Sequence, residues 1–261
     1  MSISLNTMDS EGLKTKTDIL NAINALYDEK TRESALAILS EQKCDTTLRS
    51  TCLFNSFGIV TILQQEILGA YKNINNEKLT EQAEKRLCNT LTIVRSLVTN
   101  PDIAYHFLNS YILYYIGPLI EASNPRFVNI RKVSLAVLLE VSMHNDRNGE
   151  LKVMFINQNL ISVCLNVFKL VETSERTIIL MILYNILYNI HALNLIMNTP
   201  RYSKMIFEVM VICGVDQVKQ KEDGKAIQTC WEKIINLLYD NNHRSLVTAI
   251  RQKIREIVVD H

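Results

Sequence analysis

The chain has 261 residues, 48% of them hydrophobic, with only 7 Gly and 4 Pro. That length can bury a large core in one continuous domain, and so few turn formers argue against an all-β fold or long flexible loops. Lys and Arg number 28 against 27 acidic residues, so a net charge of +1 supplies no broad field for a nucleic acid or a membrane, and any basic site has to be local.

Residues 1–12 are polar and lack a basic start followed by an apolar stretch, which reads as a flexible tail and not a secretory signal. From residue 13 to 261 apolar side chains recur three and four apart, as in Ile130, Val133, Val137, Leu138 and Val141. Helices are predicted over 14–25, 31–42, 53–71, 80–99, 102–109, 112–123, 127–143, 150–157, 160–172, 175–190, 192–198, 202–219, 225–239 and 243–258. Three prolines follow a capping residue, at Asn100-Pro101, Asn124-Pro125 and Thr199-Pro200. Each marks a helix start, because the cap side chain accepts an orphan N–H and proline lacks a donor that would have had no partner there. Pro118, inside an apolar run after Gly117, predicts a kink or break.

A unit of short, medium and long helix repeats along this order. Phe107-Leu108-Asn109 before Tyr111-Ile112 returns 48 residues later as Phe155-Ile156-Asn157 before Asn159-Leu160, and Ile196-Met197-Asn198 repeats the step 41 residues further on. Such spacing is the signature of an all-α, armadillo-like α-α superhelix of about six stacked helical repeats, in which neighbours cover one another's apolar faces. The tail at 1–12 and one armadillo domain at 13–261 complete the predicted organisation. The six cysteines are scattered without a CxxC pair and mostly sit among apolar neighbours, which places the chain in a cytosolic or nuclear compartment. The longest apolar stretches, Tyr111–Ile120 and Ile178–Leu187, are too short or interrupted for a bilayer span of roughly 20 residues.

No constellation for chemistry emerges, and no cofactor or metal is predicted. Neither GxGxxG nor GxxxxGK[ST] occurs, and the five histidines show no HExxH or zinc-finger spacing. Cys230 beside Trp231 falls on the periodic face of a helix, where a thiol acts as a small hydrophobe. The acid pairs Glu222-Asp223 and Glu81/Glu84 sit on charged, solvated faces. Two local basic groups, Arg126/Arg131/Lys132 and His243/Arg244 with Arg251, read either as solvated helix flanks or as phosphate contacts in a groove. The charged run Val218–Lys225 reads as a solvated loop.

Several segments, in order and spacing, resemble a known family. They are Thr31-Arg32-Glu33-Ser34-Ala35-Leu36, Ser56-Phe57-Gly58 leading through Leu63-Gln64-Gln65-Glu66-Ile67 to Tyr71 and Ile74-Asn75, and Arg86-Leu87-Cys88-Asn89 with Leu91 and Asn100-Pro101. The Arg131, Ser134-Leu135 helix and Ile182-Leu183 with Ile186-Leu187 continue the match from about residue 18 to the end. The chain resembles the "required for cell differentiation" proteins (Rcd-one, or Caf-forty, type), the armadillo subunit of the Ccr/Not mRNA deadenylase complex.

The resemblance implies a non-catalytic adaptor that docks on a Not-type scaffold subunit and recruits regulators of mRNA decay and translational repression. It places scaffold contacts at Asn55, Phe57 and Thr61, where Asn55 replaces a family histidine and Thr61 an alanine. Phe57 reads equally as an interface anchor or a core aromatic. A concave groove for short peptides aligns with Asn129, Ala136 and Ile178, with Asn129 in place of a family tyrosine and Ala136 of a glycine. Pockets for tryptophan-bearing regulators align with Arg201, Tyr202, Arg244 and Ala249, where an arginine plane can stack on an indole. A one-residue deletion at Pro200 and an insertion around Asn242 alter those pockets. The implied location is cytoplasmic, P-bodies included, with a nuclear pool, and self-association as a homodimer is compatible with it. The competing reading is a single-stranded nucleic-acid-binding armadillo protein that uses a basic concave groove, with Arg126, Arg131 and Lys132 as contacts.

Overall fold

The computed structural model describes residues 16–41, 46–74, 79–145, 149–218 and 225–259. The tail at 1–12, Cys44 and residues 219–224 of the charged run therefore lie outside the described residues. The described residues form fifteen α-helices and no strand, so the protein is all-α as its periodicity predicts. Contacts divide the chain into two compact units, Met1–Val137 and Leu138–His261. The first holds α1 (Lys16–Ala25), α2 (Glu29–Ser40), α3 (Thr46–Phe54), α4 (Ile59–Gly69), α5 (Glu81–Leu97), α6 (Pro101–Asn109) and α7 (Gly117–Glu121). α8 (Val128–Met143) contains the boundary. The second holds α9 (Glu150–Asn157), α10 (Leu160–Val167), α11 (Thr173–Leu187), α12 (Ile190–Met197), α13 (Pro200–Val218), α14 (Lys225–Asp240) and α15 (Arg244–Val259). No single helix among the described residues is long and apolar enough to cross a membrane.

The two Asn-Pro caps form where the sequence places them, whereas the Thr199 hydroxyl bonds back into the preceding helix instead of capping α13. The Asn100 side chain accepts from the N–H groups of Asp102 (2.9 Å) and Ile103 (3.3 Å), and Asn124 accepts from Arg126 N–H at 3.0 Å. Thr199 precedes α13, with its hydroxyl donating to the Leu195 carbonyl at 2.7 Å. Pro118 sits in the first turn of α7, so the predicted 112–123 helix is reduced to a 3-10 turn (Tyr114–Ile116) and this short helix. The predicted 53–71 helix is likewise two helices, because the chain breaks at residues 55–58 and Gly58 adopts φ 76°.

The short-medium-long unit is a stacking unit. In the second unit α9 packs on α12, α10 on α13 and α11 on α14, each helix on its counterpart in the next repeat. In the first, the long helices α2 and α5 pack together, and α4 packs on the 3-10 turn before α7. The buried stripe of α11, Ile179, Leu180, Ile182, Leu183, Ile186 and Leu187, shows how one helix serves neighbours on two sides. The 48-residue sequence echo is conformational too. Tyr111 and Asn159, at equivalent positions, both adopt the left-handed region, with φ 58° and 61°. Asparagine tolerates that region, whereas for a bulky residue it costs about 1–2 kcal/mol.

Stacked helices bury their C-terminal ends, whose last carbonyls have no partner within the helix. Here a basic side chain from the following helix supplies one. Arg32 Nε donates to Leu26 O (2.8 Å), and Arg131 donates to Ile120 O (2.8 Å) and Ala122 O (2.5 Å). Lys152 Nζ donates to His144 O, and Arg176 Nε to Phe168 O (3.0 Å) and Val171 O (3.1 Å). Buried Arg49 donates to Glu41 O at 2.5 Å. Positive charge at the negative end of a helix dipole adds to each of these hydrogen bonds.

Replacing Arg131 with methionine should lower the unfolding free energy by about 1.5–3 kcal/mol in urea titrations, the range for hydrogen bonds to a charged group; no change would show these contacts to be incidental. Packing is equally tight at Gly214, where an added Cβ would collide with Ile254 Cδ1 and lie 3.4 Å from Trp231 Cζ2. Gly214→Ala should therefore destabilise by about 1–3 kcal/mol. Gly69→Ala, whose Cβ meets nothing within 4 Å, should stabilise α4 by about 0.5–1 kcal/mol, both read from thermal unfolding.

Candidate functional site

The break between α3 and α4 is a closed turn. Asn55 N–H donates to Thr51 O (3.1 Å), Ser56 N–H to Leu53 O (3.2 Å), and the Ser56 hydroxyl to Cys52 O (2.7 Å). After Phe57, Gly58 supplies the positive φ that sends Ile59 back into the core, 1% exposed. Phe57 itself is 95% exposed. The Tyr27 hydroxyl donates to the Phe57 carbonyl at 2.6 Å, fixing the turn from the end of α1. Of the two readings left open, core or surface, Phe57 takes the surface. Asn55 and Thr61 are exposed beside it on either side of the turn. Phe54 continues the surface towards α6, its ring 5.5 Å from that of His106.

Three of the segments that carry the family resemblance meet at Glu66 on α4. Arg86 grips Glu66 through two contacts of 2.6 and 2.7 Å, Arg32 approaches the same carboxylate at 3.4 Å, and Glu33 lies 3.9 Å from Arg86. The Glu66 hydrogen bond raises the Arg86 pKa further above its ordinary value, against the opposing effect of burial. A cleft of about 420 Å³ opens here, lined in part by Arg32, Gln65, Glu66, Lys72 and Arg86. Its two arginines are matched by acids, so the network ties α2, α4 and α5 together.

Asn129 and Ala136 lie two turns apart on α8; Asn129 is exposed and donates to Glu84 at 2.7 Å, while Ala136 is half-buried. Ile178 is half-buried on α11. In the second unit, a cleft of about 280 Å³ is lined by Ser142, Met143, Lys152, Tyr184, Asn185 and Tyr188 among others. Its aromatic wall, Tyr184 and Tyr188 with ring centres 5.9 Å apart, carries no signal that sequence spacing distinguishes from core.

Arg201 is exposed at the start of α13, whereas Tyr202 turns inward, its hydroxyl 3.2 Å from Ile156 O. Arg244 is exposed and stacks over the Tyr239 ring at 4.8 Å, and Ala249 is exposed on the same helix, α15. Arginine stacking on an aromatic thus occurs here, with an intramolecular partner five residues upstream.

Of the basic group at 126–132, Arg126 donates to Leu79 O at 2.6 Å and Arg131 caps α7 as described, so both spend donors on backbone carbonyls. Lys132 is half-buried. Burial pushes the thiols up, Cys213 to about 12 and Cys88 to about 11, and raises Cys230 above its usual value. Trp231 Nε1 donates to Met210 O at 2.8 Å, tying α14 to α13.

Comparisons with known proteins fit this arrangement of helices. The sequence model of the cell differentiation family, Rcd1-like, matches residues 22–258. The cell differentiation protein rcd1 of Schizosaccharomyces pombe is 27% identical over 164 residues, 62% of this chain and 57% of its own length. Protein CAF40 of Saccharomyces cerevisiae is 24% identical over 158 residues, 60% of this chain and 42% of its own. The chain thus spans about half the length of these curated relatives. The crystal structure of an engineered protein from the Northeast Structural Genomics Consortium shares the fold, with a TM-score of 0.52 at 10% identity over 92% of this chain and 95% of that one. With a family match running from the middle of α1 to the end of α15, the chain belongs to the Rcd1-like cell differentiation family.

Proposed function

We propose that the protein is a non-catalytic adaptor of the Ccr/Not deadenylase complex, docking on its Not-type scaffold subunit through Asn55, Phe57 and Thr61. The observation that carries this reading is Phe57: an aromatic ring 95% exposed, on a turn whose backbone is closed by hydrogen bonds on both sides. Exposing a phenylalanine forfeits roughly 1.5–3 kcal/mol of burial, and a turn held rigid loses little entropy when a partner covers it. Thr61 and Asn55 then form the polar margin of the contact.

Regulators of mRNA decay bind elsewhere in this proposal. Short peptides lie along the groove marked by Asn129, Ala136 and Ile178. The tryptophan-bearing partners meet Arg201, Arg244 and Ala249, while Tyr202 supports that region from within through its bond to Ile156 O. The cytoplasm, P-bodies included, is the proposed location. A nucleic-acid role has less support, because Arg126 and Arg131 are engaged with backbone carbonyls.

Phe57→Asp should abolish co-purification of the Not-type scaffold from the organism's own cells, and Phe57→Ala should weaken the purified pair by about 30- to 1,000-fold, as expected for an anchor worth about 2–4 kcal/mol. The helical circular-dichroism signal should not change. Unchanged association would overturn docking through Phe57, and affinity for single-stranded RNA that falls steeply from low to physiological salt, in place of scaffold binding, would favour the nucleic-acid reading.

A further inference from the structure

We propose that α15 carries a docking site of its own, a row of Arg244, Arg251 and Arg255 that receives an acidic helix of a partner protein. The site goes beyond the adaptor reading and stands whether or not the Phe57 turn meets a scaffold.

Charge singles out this helix. α15 holds Arg244, Arg251, Lys253 and Arg255 against Glu256 alone, a net of +3, whereas each of the other helices among the described residues lies between −1 and +1. The whole chain is only +1. An acidic partner therefore finds its complement on α15 and on no other single helix.

The helical register lines these charges up. Steps of seven and four residues return Arg251 and Arg255 to within about 20° of Arg244, about 10 and 16 Å further along the axis. Thr248 lies in the same row, one turn after Arg244, and all four residues are exposed. Val247, Ile250 and Ile254 are buried and hold α15 against α13 and α14, so the row is presented on a fixed backbone.

The arginines of the row are also uncommitted. Elsewhere Arg32, Arg131 and Arg176 donate to backbone carbonyls and Arg86 to Glu66. Arg251 and Arg255 make no hydrogen bond or ion pair among the described residues, and Glu256 is taken by Gln252 at 3.2 Å and Lys253 at 3.1 Å. Two like charges four residues apart repel, and a carboxylate from outside relieves them.

The same surroundings select a protein among polyanions. Single-stranded nucleic acid wants aromatic faces for its bases, but Tyr239, beside the row, already lies under Arg244 at 4.8 Å. An anionic membrane wants large apolar side chains to insert, and the exposed residues of α15 are Arg, Ser, Thr, Ala, Gln, Lys and Glu. A helix with glutamates at the same seven-and-four spacing fits both conditions. Each guanidinium can grip a carboxylate through two parallel hydrogen bonds, and stacking on Tyr239 leaves the edge donors of Arg244 free to do so.

The test uses a fluorescent alanine-based helix with glutamates at that spacing, its glutamine counterpart and an oligouridine, each titrated against the full chain by anisotropy. The glutamate helix should bind and the glutamine helix should not. Arg251→Gln with Arg255→Gln should weaken the glutamate helix at least fivefold without lowering the melting temperature. Lys204→Gln with Lys225→Gln removes the same charge from exposed positions on α13 and α14, and should change the affinity less than twofold. Equal losses in the two double variants would reduce the effect to general attraction and overturn the row. Binding that the arginine variant leaves unchanged, or no binding at all, would overturn it too. Oligouridine that binds more tightly than the glutamate helix, and is lost in the arginine variant, would make this a nucleic-acid site and contradict the proposal.

Discussion

The stack depends on one constraint: each helix that ends against its neighbours must find partners for its last carbonyls. This chain meets it with a basic residue on the following helix, Arg32, Arg131, Lys152 and Arg176 among them, and with buried Arg49. The solution has two consequences. It fixes the angle at which successive helices leave one another, since a guanidinium that reaches two carbonyls tolerates little play. It also engages Arg32, Arg49 and Arg131 of the first unit with backbone carbonyls.

Against that frame the Phe57 turn is an exception made locally. Most other large apolar side chains along α3 and α4 turn inwards, Leu53, Ile59, Leu63 and Ile67 among them, with Leu68 39% exposed. Gly58 makes the outward step possible, because its positive φ turns the chain so that Phe57 projects while Ile59 returns to the core. Tyr27 then holds the turn by its carbonyl and leaves the ring free. The result is a presented side chain on a fixed backbone, joined through Phe54 and His106 to further exposed aromatics.

Much of the fold could be read from the residues. Asn-Pro steps named two helix starts because capping is a local interaction, and the 48-residue echo named the repeat because stacked units need the same apolar spacing. What escaped was set by geometry across the chain. The break at residues 55–58 is invisible to periodicity, since Leu53, Ile59, Ile62 and Leu63 fit one helix as well as two. Whether Phe57 faces in or out hinges on that break. Arg126 and Arg131 read as a basic group because a backbone carbonyl partner leaves no trace in sequence, and Arg244 gave no sign that Tyr239 already lies under it. The family resemblance pointed to the turn and left Phe57 open between core and surface; only coordinates show it exposed, and only they distinguish exposed Arg201 from Tyr202, which is bonded inward.

The most direct measurement is hydrogen–deuterium exchange of the chain, free and with the purified Not-type scaffold subunit proposed to bind it. The account predicts slowed exchange in peptides covering residues 50–65, with those of α15 unaffected. Protection confined to α13 and α15, or none across residues 50–65 in a complex that demonstrably forms, would contradict it.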